Sequence, residues 1–400
     1  MRVPGDRPSA SRPSECGRAT WWAAVTRMDA RHSDGRVGLR GLPVFPTNAE
    51  FGCRSYLSSY HGAIETRREP DDDLLHPPDD DPNYNESRYY SFFDRVAGMG
   101  GWVRMGNRPN QGHTELTICL YLPDGRVGFM FKRPAIDGNS AHDAGGLKFE
   151  VIEPYRAHRV SYDGKVCVLA QPRDMADPKK AFAENPHEPC VLHLEITAAA
   201  QATGGEPEYG EGEEPDLGHE FGRGHTEQQM VINGSVRVGE QSFAITDAYG
   251  LRDHSWGPRV WQSIPWYRWL IASFGTLGIA ATIRGEHGSS ERLQSGYVYD
   301  VTRYGDDRAV PVRTITLTTD YDDAHFPLRN RAVVATDDHA YELSGEIWSS
   351  IPLRNRRDDQ VTRITENATR WMCEGITGTG MSEYLDLIID DLPVGISANV

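Results

Sequence analysis

The chain has 400 residues, with 42 Lys or Arg against 58 Asp or Glu and a formal net charge of −16. An acidic chain repels phosphate backbones, so nucleic acid is excluded as the expected partner. The 38% hydrophobic content supports a sizeable core, but no apolar run reaches the roughly 18 residues of a spanning helix, so no integral membrane segment is expected.

Cys16, Cys53, Cys119, Cys167, Cys190 and Cys373 contain no CxxC pair and read as reduced thiols rather than a disulfide frame. The first apolar run, "WWAAV", is too short for an export signal. A cytoplasmic location is the expectation. Residues 1–84 are rich in Arg, Ser, Gly and Pro, then acidic and proline-broken, and read as an irregular extension with a short helix near 49–65.

From Tyr89 the pattern is β. In "ELTICLYLPDGRVGFMFKR" (115–133), Leu116, Ile118, Leu120 and Leu122 alternate on one face, Pro123-Asp124-Gly125 supplies a turn, and Val127, Phe129 and Phe131 continue the pattern. Residues 147–170 predict a second hairpin turning at Asp163-Gly164. "CVLHLEITA" (190–198) is a strand with His193 and Glu195 opposite Leu192, Leu194 and Ile196. A polar loop (204–224) precedes strands with turns at Asn233-Gly234 and Gly239-Glu240. Further short strands run to residue 388. Helical periodicity is nearly absent, so the fold class is all-β, with two antiparallel barrels or sandwiches. The expected boundaries are 85–238 and 239–400.

"GLRDHSWGPRVW" (250–261) concentrates charge and tryptophan. Extended backbone sends Arg252, His254 and Trp256 to one side and Asp253 and Ser255 to the other. Four of the nine tryptophans fall between 256 and 269. Two readings stand open: a packed β corner in which Arg and Asp pair, or an aromatic pocket walled by a titratable His and an acid. His113/Glu115, His193/Glu195 and His225/Glu227 are H-x-E pairs, but no third ligand is implied, and solvated strand faces are the preferred account; no metal and no cofactor are expected. Nucleotide-binding loops and a nucleophile elbow are absent. Glu374 and Glu383 flank the glycine-rich "GITGTGM"; ordinary surface or turn positions are the preferred account of them, with a pocket mouth as the alternative.

"DAYGLRDHSWGPR" (247–259), followed by "YRWLIASFG", and "GTGMSEYLD" (378–386) resemble the two-domain lipocalin-like family. That family includes carotenoid 1,2-hydratases, fungal lipocalin-like Diels–Alderases and uncharacterised bacterial relatives. The resemblance covers roughly residues 84–390 and implies two lipocalin-like β halves with an apolar ligand cavity. It implies catalytic roles for His254 and Trp256, which match the hydratase H-x-W pair, and for Asp253 beside them. A Tyr and an Asp that the hydratases carry downstream have no clear match.

The resulting expectation is acid-catalysed hydration, isomerisation or cyclisation of a hydrophobic small molecule through a carbocation. Tyr249, Arg252, Arg259, Trp261, Trp266, Tyr267, Trp269 and Glu383 would bind the substrate. The alternatives are a non-catalytic carrier and a pericyclase that needs no proton donor. The oligomeric state is left open.

Overall fold

The computed structural model describes residues 66–207, 222–285 and 290–396. The helix expected near 49–65, together with Cys16 and Cys53, lies outside the described residues. The described chain is almost wholly β.

Eight strands form a first barrel: β1 (Tyr84–Asp94), β2 (Met99–Arg108), β3 (His113–Tyr121), β4 (Val127–Lys132), β5 (Ala157–Leu169), β6 (His187–Ala198), β7 (Gly224–Val238) and β8 (Gln241–Pro258). Each pairs antiparallel with the next, and β8 closes the ring on β1. Closure leaves no main-chain edge within the ring.

A second set follows: β9 (Trp266–Ser273), β10 (Leu277–Gly285), β11 (Arg292–Asp300), β12 (Thr314–Tyr321), β13 (Pro327–Ala335), β14 (Ala340–Arg357), β15 (Gln360–Cys373) and β16 (Ile376–Ile389). They too pair in chain order, and β16 returns to β9. The ladder is interrupted once, between β11 and β12. There the Gln294 side chain donates to Ile315 O at 3.0 Å and accepts from Ile315 N at 2.7 Å. One amide thereby replaces a ladder pair. The lipocalin-like, all-β architecture expected from the sequence is the one observed.

Several details differ from the sequence reading. The boundary placed at 238/239 falls in the turn between two paired strands of the first barrel, and the change of sheet comes between Pro258 and Trp266. β8 must remain in the first ring because it supplies the closing partner of β1. Asp163-Gly164 lies inside β5; the chain turns instead near Tyr155, whose φ is +59°. Asn233-Gly234 is a bulge inside β7, not a turn, with Gly234 at φ +150°. The turns at 123–125 and 239–240 form as expected.

Burial explains the strand patterns. Leu116, Ile118 and Leu120 point into the first barrel with Phe92, Met105, Val160 and Ile232. Val127 and Phe129, which alternate on the return strand, belong to an apolar layer between the barrels, with Phe93, Trp102, Tyr121, Leu251, Ile271 and Met381. Strands flanking this layer are buried on both faces, which blurs alternation. The second barrel is filled by Trp266, Leu270, Ile279, Val334 and Trp371, among others. Fully burying an aliphatic or Phe side chain contributes roughly 1.5–3 kcal/mol.

Candidate functional site between the barrels

β8 divides the motif as extended backbone requires. Arg252, His254 and Trp256 point into the first barrel, where a buried ionic network takes over from the apolar core. The segment preceding β1 covers this end with the 3-10 turn Pro70–Asp73. Asp73, fully buried, sits 3.1 Å from both Arg88 and Arg252 and 3.1 Å from His158 Nε2, and it accepts from Tyr155 N at 2.5 Å. Burial opposes its ionisation, yet Arg252, His158 and Arg88 hold its pKa well below the usual carboxylate range.

Glu86 is a second hub. It accepts from His254 Nε2 at 2.9 Å, His76 Nδ1 at 2.9 Å, His76 N at 3.0 Å and Asn139 Nδ2 at 2.6 Å. Burial, then Arg88, pushes His254 down to about 3, so the imidazole is neutral. The Trp256 ring stacks on His76 at 4.1 Å, and its indole N–H donates to Glu206 at 3.0 Å. The bracketing glycines are required for different reasons. A Cβ on Gly250 would lie 1.8 Å from Ser91 O on β1, whereas Gly257 adopts φ +109°.

Asp253 and Ser255 face outward, toward the second barrel. His225 and Glu227 of β7 share that face, because register sets Glu227 opposite Asp253 and His225 opposite Ser255. His225 Nε2 is bonded to Asp253 Oδ2. Burial raises Asp253, but His225 outweighs it and the carboxyl is held below its ordinary value. Burial, with Asp253 adding to it, pushes Glu227 up to about 7.

Across the gap, β9 directs Tyr267 and Trp269 toward the first barrel. Tyr267 OH donates to Glu383 on β16. Glu383 and Glu366 are cross-strand partners, and both are buried. Burial raises both, Glu366 well above the ordinary value with the Glu383 charge adding to the shift. The rings of Tyr89, Trp102 and Trp269 flank them, with Tyr89 centred 5.6 Å from each tryptophan. Trp261 lies under the Arg104 and Arg259 guanidiniums, at 5.6 and 5.5 Å, and Arg259 donates to Ser255 Oγ at 2.7 Å.

The structure therefore separates the expected site residues. Asp253, Arg259, Trp261, Tyr267, Trp269 and Glu383 meet between the barrels. Arg252, His254 and Trp256 are turned away inside the first barrel, Trp266 is inside the second, and Tyr249 lies at the turn near Gly275. Corner packing thus accounts for the inward half of the motif, with Asp73 in place of Asp253 as the partner of Arg252. Glu366, Glu227 and Tyr89 were not singled out as catalytic or substrate-binding residues from the sequence. Glu366 stands in a strand of alternating residues, "ITENATRWMC", and its neighbour Glu383 appears only once β15 and β16 are paired.

Clefts among the described residues include two that border the barrels. One of about 590 Å³ borders Arg68, Tyr155 and Gln228 at the covered end of the first barrel. The other, about 220 Å³, is lined by Phe93, Trp348, Arg370 and Thr377–Thr379 and reaches the apolar layer between the barrels. Neither Glu374 nor Glu383 lines it; the glycine-rich segment between them does, through Thr377, Gly378 and Thr379.

A family model described as a domain of unknown function, DUF7064, matches residues 69–388. The chain belongs to this family. Its span starts at Glu69, one residue before the covering turn, so the Asp73 plug falls inside the family match. Comparison with curated proteins gives no match. Among solved structures, the chain is similar in fold to a putative AttH from Nitrosomonas europaea, with a TM-score of 0.54, 13% identity, and 80% of this chain and 97% of that chain covered. CghA with Sch210972 aligns at TM-score 0.48 and 12% identity over 76% of this chain and 89% of that one. Kievitone hydratase from Nectria haematococca aligns at 0.48 and 11% over 75% and 88%.

Proposed function

We propose that the protein is an acid catalyst acting on a hydrophobic small molecule bound in the layer between the two barrels. The observation that carries this reading is the Glu366–Glu383 pair, two buried cross-strand carboxyls beside Tyr267 and within an aromatic layer. Two carboxyls at one desolvated place favour retention of a proton, which makes the pair a proton donor near neutrality. The donor delivers its proton to an alkene, epoxide or alcohol. Tyr89, Trp102 and Trp269 shelter the resulting cation, at about 1–2 kcal/mol per desolvated contact. Water or an internal hydroxyl then captures it and returns a proton to the Glu366–Glu383 carboxylate, or an internal alkene captures it and the new cation loses a proton to the same carboxylate.

The acid assigned from the sequence moves accordingly. His254 is neutral and bonded to Glu86, and Asp253 is held ionised by His225. Neither is suited to donate.

Organic extraction of protein purified from its own host, followed by mass spectrometry, supplies the ligand class. Turnover is then compared in the parent, Glu366→Gln and Glu383→Gln. Loss of turnover with binding retained supports the reading, and full activity in both variants overturns it. A ligand recovered unchanged and never converted identifies a carrier. That second reading draws on the internal pairing of Arg252 and His254, which is what a structural clamp requires.

A further inference from the structure

We propose that His225, Glu227 and Asp253 bind a divalent transition-metal ion at the open edge of the layer between the barrels. His225 and Glu227 project from the same face of β7, and register brings Asp253 of β8 beside them. The sequence offers only the i, i+2 pair; the third ligand comes from the neighbouring strand. One ligand atom from each residue lies within 4.8 Å of the others. His225 Nε2 is bonded to Asp253, and a Glu227 oxygen lies 3.7 Å from the same nitrogen.

The donor set defines the ion. One imidazole with two carboxylates favours zinc, cobalt or iron over magnesium and calcium, which prefer all-oxygen shells. Three protein ligands leave positions open, as in sites where a metal holds water or substrate. Access is graded suitably: the His225 side chain is 51% exposed, whereas those of Glu227 and Asp253 are 12% and 17% exposed. An ion enters past the imidazole and meets carboxylates largely withdrawn from water.

Two buried hydroxyls point to a missing ligand nearby. Tyr89 is the register partner of Asp253, and Tyr297 is close enough for Glu227 to influence it. Neither hydroxyl has a hydrogen-bond partner within the described residues. Buried hydroxyls are normally satisfied, and metal-bound water would satisfy them. The other converging trio, His76, Glu86 and His254, differs. Its carboxylate already accepts from both imidazoles, a backbone N–H and an asparagine amide, so its lone pairs are committed.

The site does not depend on the Glu366–Glu383 acid pair, and its test reads metal alone. Chelator-treated full-length protein is titrated with Co²⁺, followed by visible absorption, and with Zn²⁺, in competition with a chromophoric chelator. His225→Gln, Asp253→Asn and the control His113→Gln are measured alongside. The expected result is one ion per chain, bound more than about tenfold more weakly by both cluster variants and unchanged by the control. His225 is half exposed, so its variant leaves the fold intact. Absence of stoichiometric binding in the parent, or equal affinity in His225→Gln, overturns the proposal.

Discussion

Asp73 Oδ1 lies 3.1 Å from Arg252 Nη1, joining the segment before the first strand to the last strand of the same barrel. The same oxygen is 3.1 Å from Arg88, so one carboxylate is shared by two guanidiniums inside the barrel. Replacing Asp73 by Asn leaves both cations buried without their shared counter-charge. The expected cost is about 3–5 kcal/mol, read as a lower denaturation midpoint in urea. A loss below 1 kcal/mol would contradict the assignment of Asp73 as the neutralising group.

Acid sensitivity should begin above the carboxylate range. Burial, assisted by Arg88, pushes His142 down to about 4, and burial pushes His158 to about 4 against the pull of Asp73. Both imidazoles are neutral when folded, whereas the unfolded chain takes up protons below its reference pKa of about 6.5. The contribution of these two imidazoles to stability is therefore full above about pH 6.5 and falls as pH drops toward 4, by up to about 1.4 kcal/mol per unit for each group. Asp73 and Glu86, held low in the fold, add their loss at lower pH. Urea midpoints measured from pH 7.5 to 4.5 test this, and His142→Asn should flatten the slope. A level profile down to pH 5 would sink the account.

Glu383 predicts the opposite sign. Its folded pKa is raised, chiefly by burial. The folded state then keeps a proton that the unfolded chain releases, and stability declines as pH rises from the unfolded value through the folded one. Glu383→Gln removes that decline, so the variant should gain stability relative to the parent at pH 8 but not at pH 4. Catalysis moves the same way: parent turnover falls as pH rises and the pair loses its proton. Equal stability differences at both pH values would rule out the retained proton.

Gln294→Ala should open the seam of the second barrel. The two hydrogen bonds to Ile315 vanish, and the backbone of β12 is left unsatisfied on that side. A destabilisation of about 1–3 kcal/mol is expected. Amide exchange should rise at Ile315 and its neighbours while that of β1 stays unchanged. Uniform exchange across both barrels would mean that Gln294 is no clasp.

The barrels were legible in the sequence because turns and strands alternate along it, and because ring order follows chain order. The alternation of Leu116, Ile118 and Leu120 holds in the structure. Val127 and Phe129 alternate as expected, but a strand between two apolar layers is hydrophobic on both faces, and periodicity cannot say which layer receives them. The candidate site was harder. Extended geometry split Arg252, His254 and Trp256 from Asp253, but it could not say which side faced the barrel interior. The partners Asp73, Glu86, Glu227 and Glu366 lie on other strands or in the proline-broken spacer, where composition suggests only a solvated linker.

Pairing in chain order has a bearing on synthesis. Each ring is completed only when its first strand meets its last, β1 with β8 and β9 with β16. While the ribosome is still making β7, β1 already has β2 on one flank and nothing on the other, and Asp73 is waiting for Arg252. That bare flank is apolar-rich and able to pair with a neighbouring nascent chain. Slow elongation through residues 241–258 would prolong that exposure.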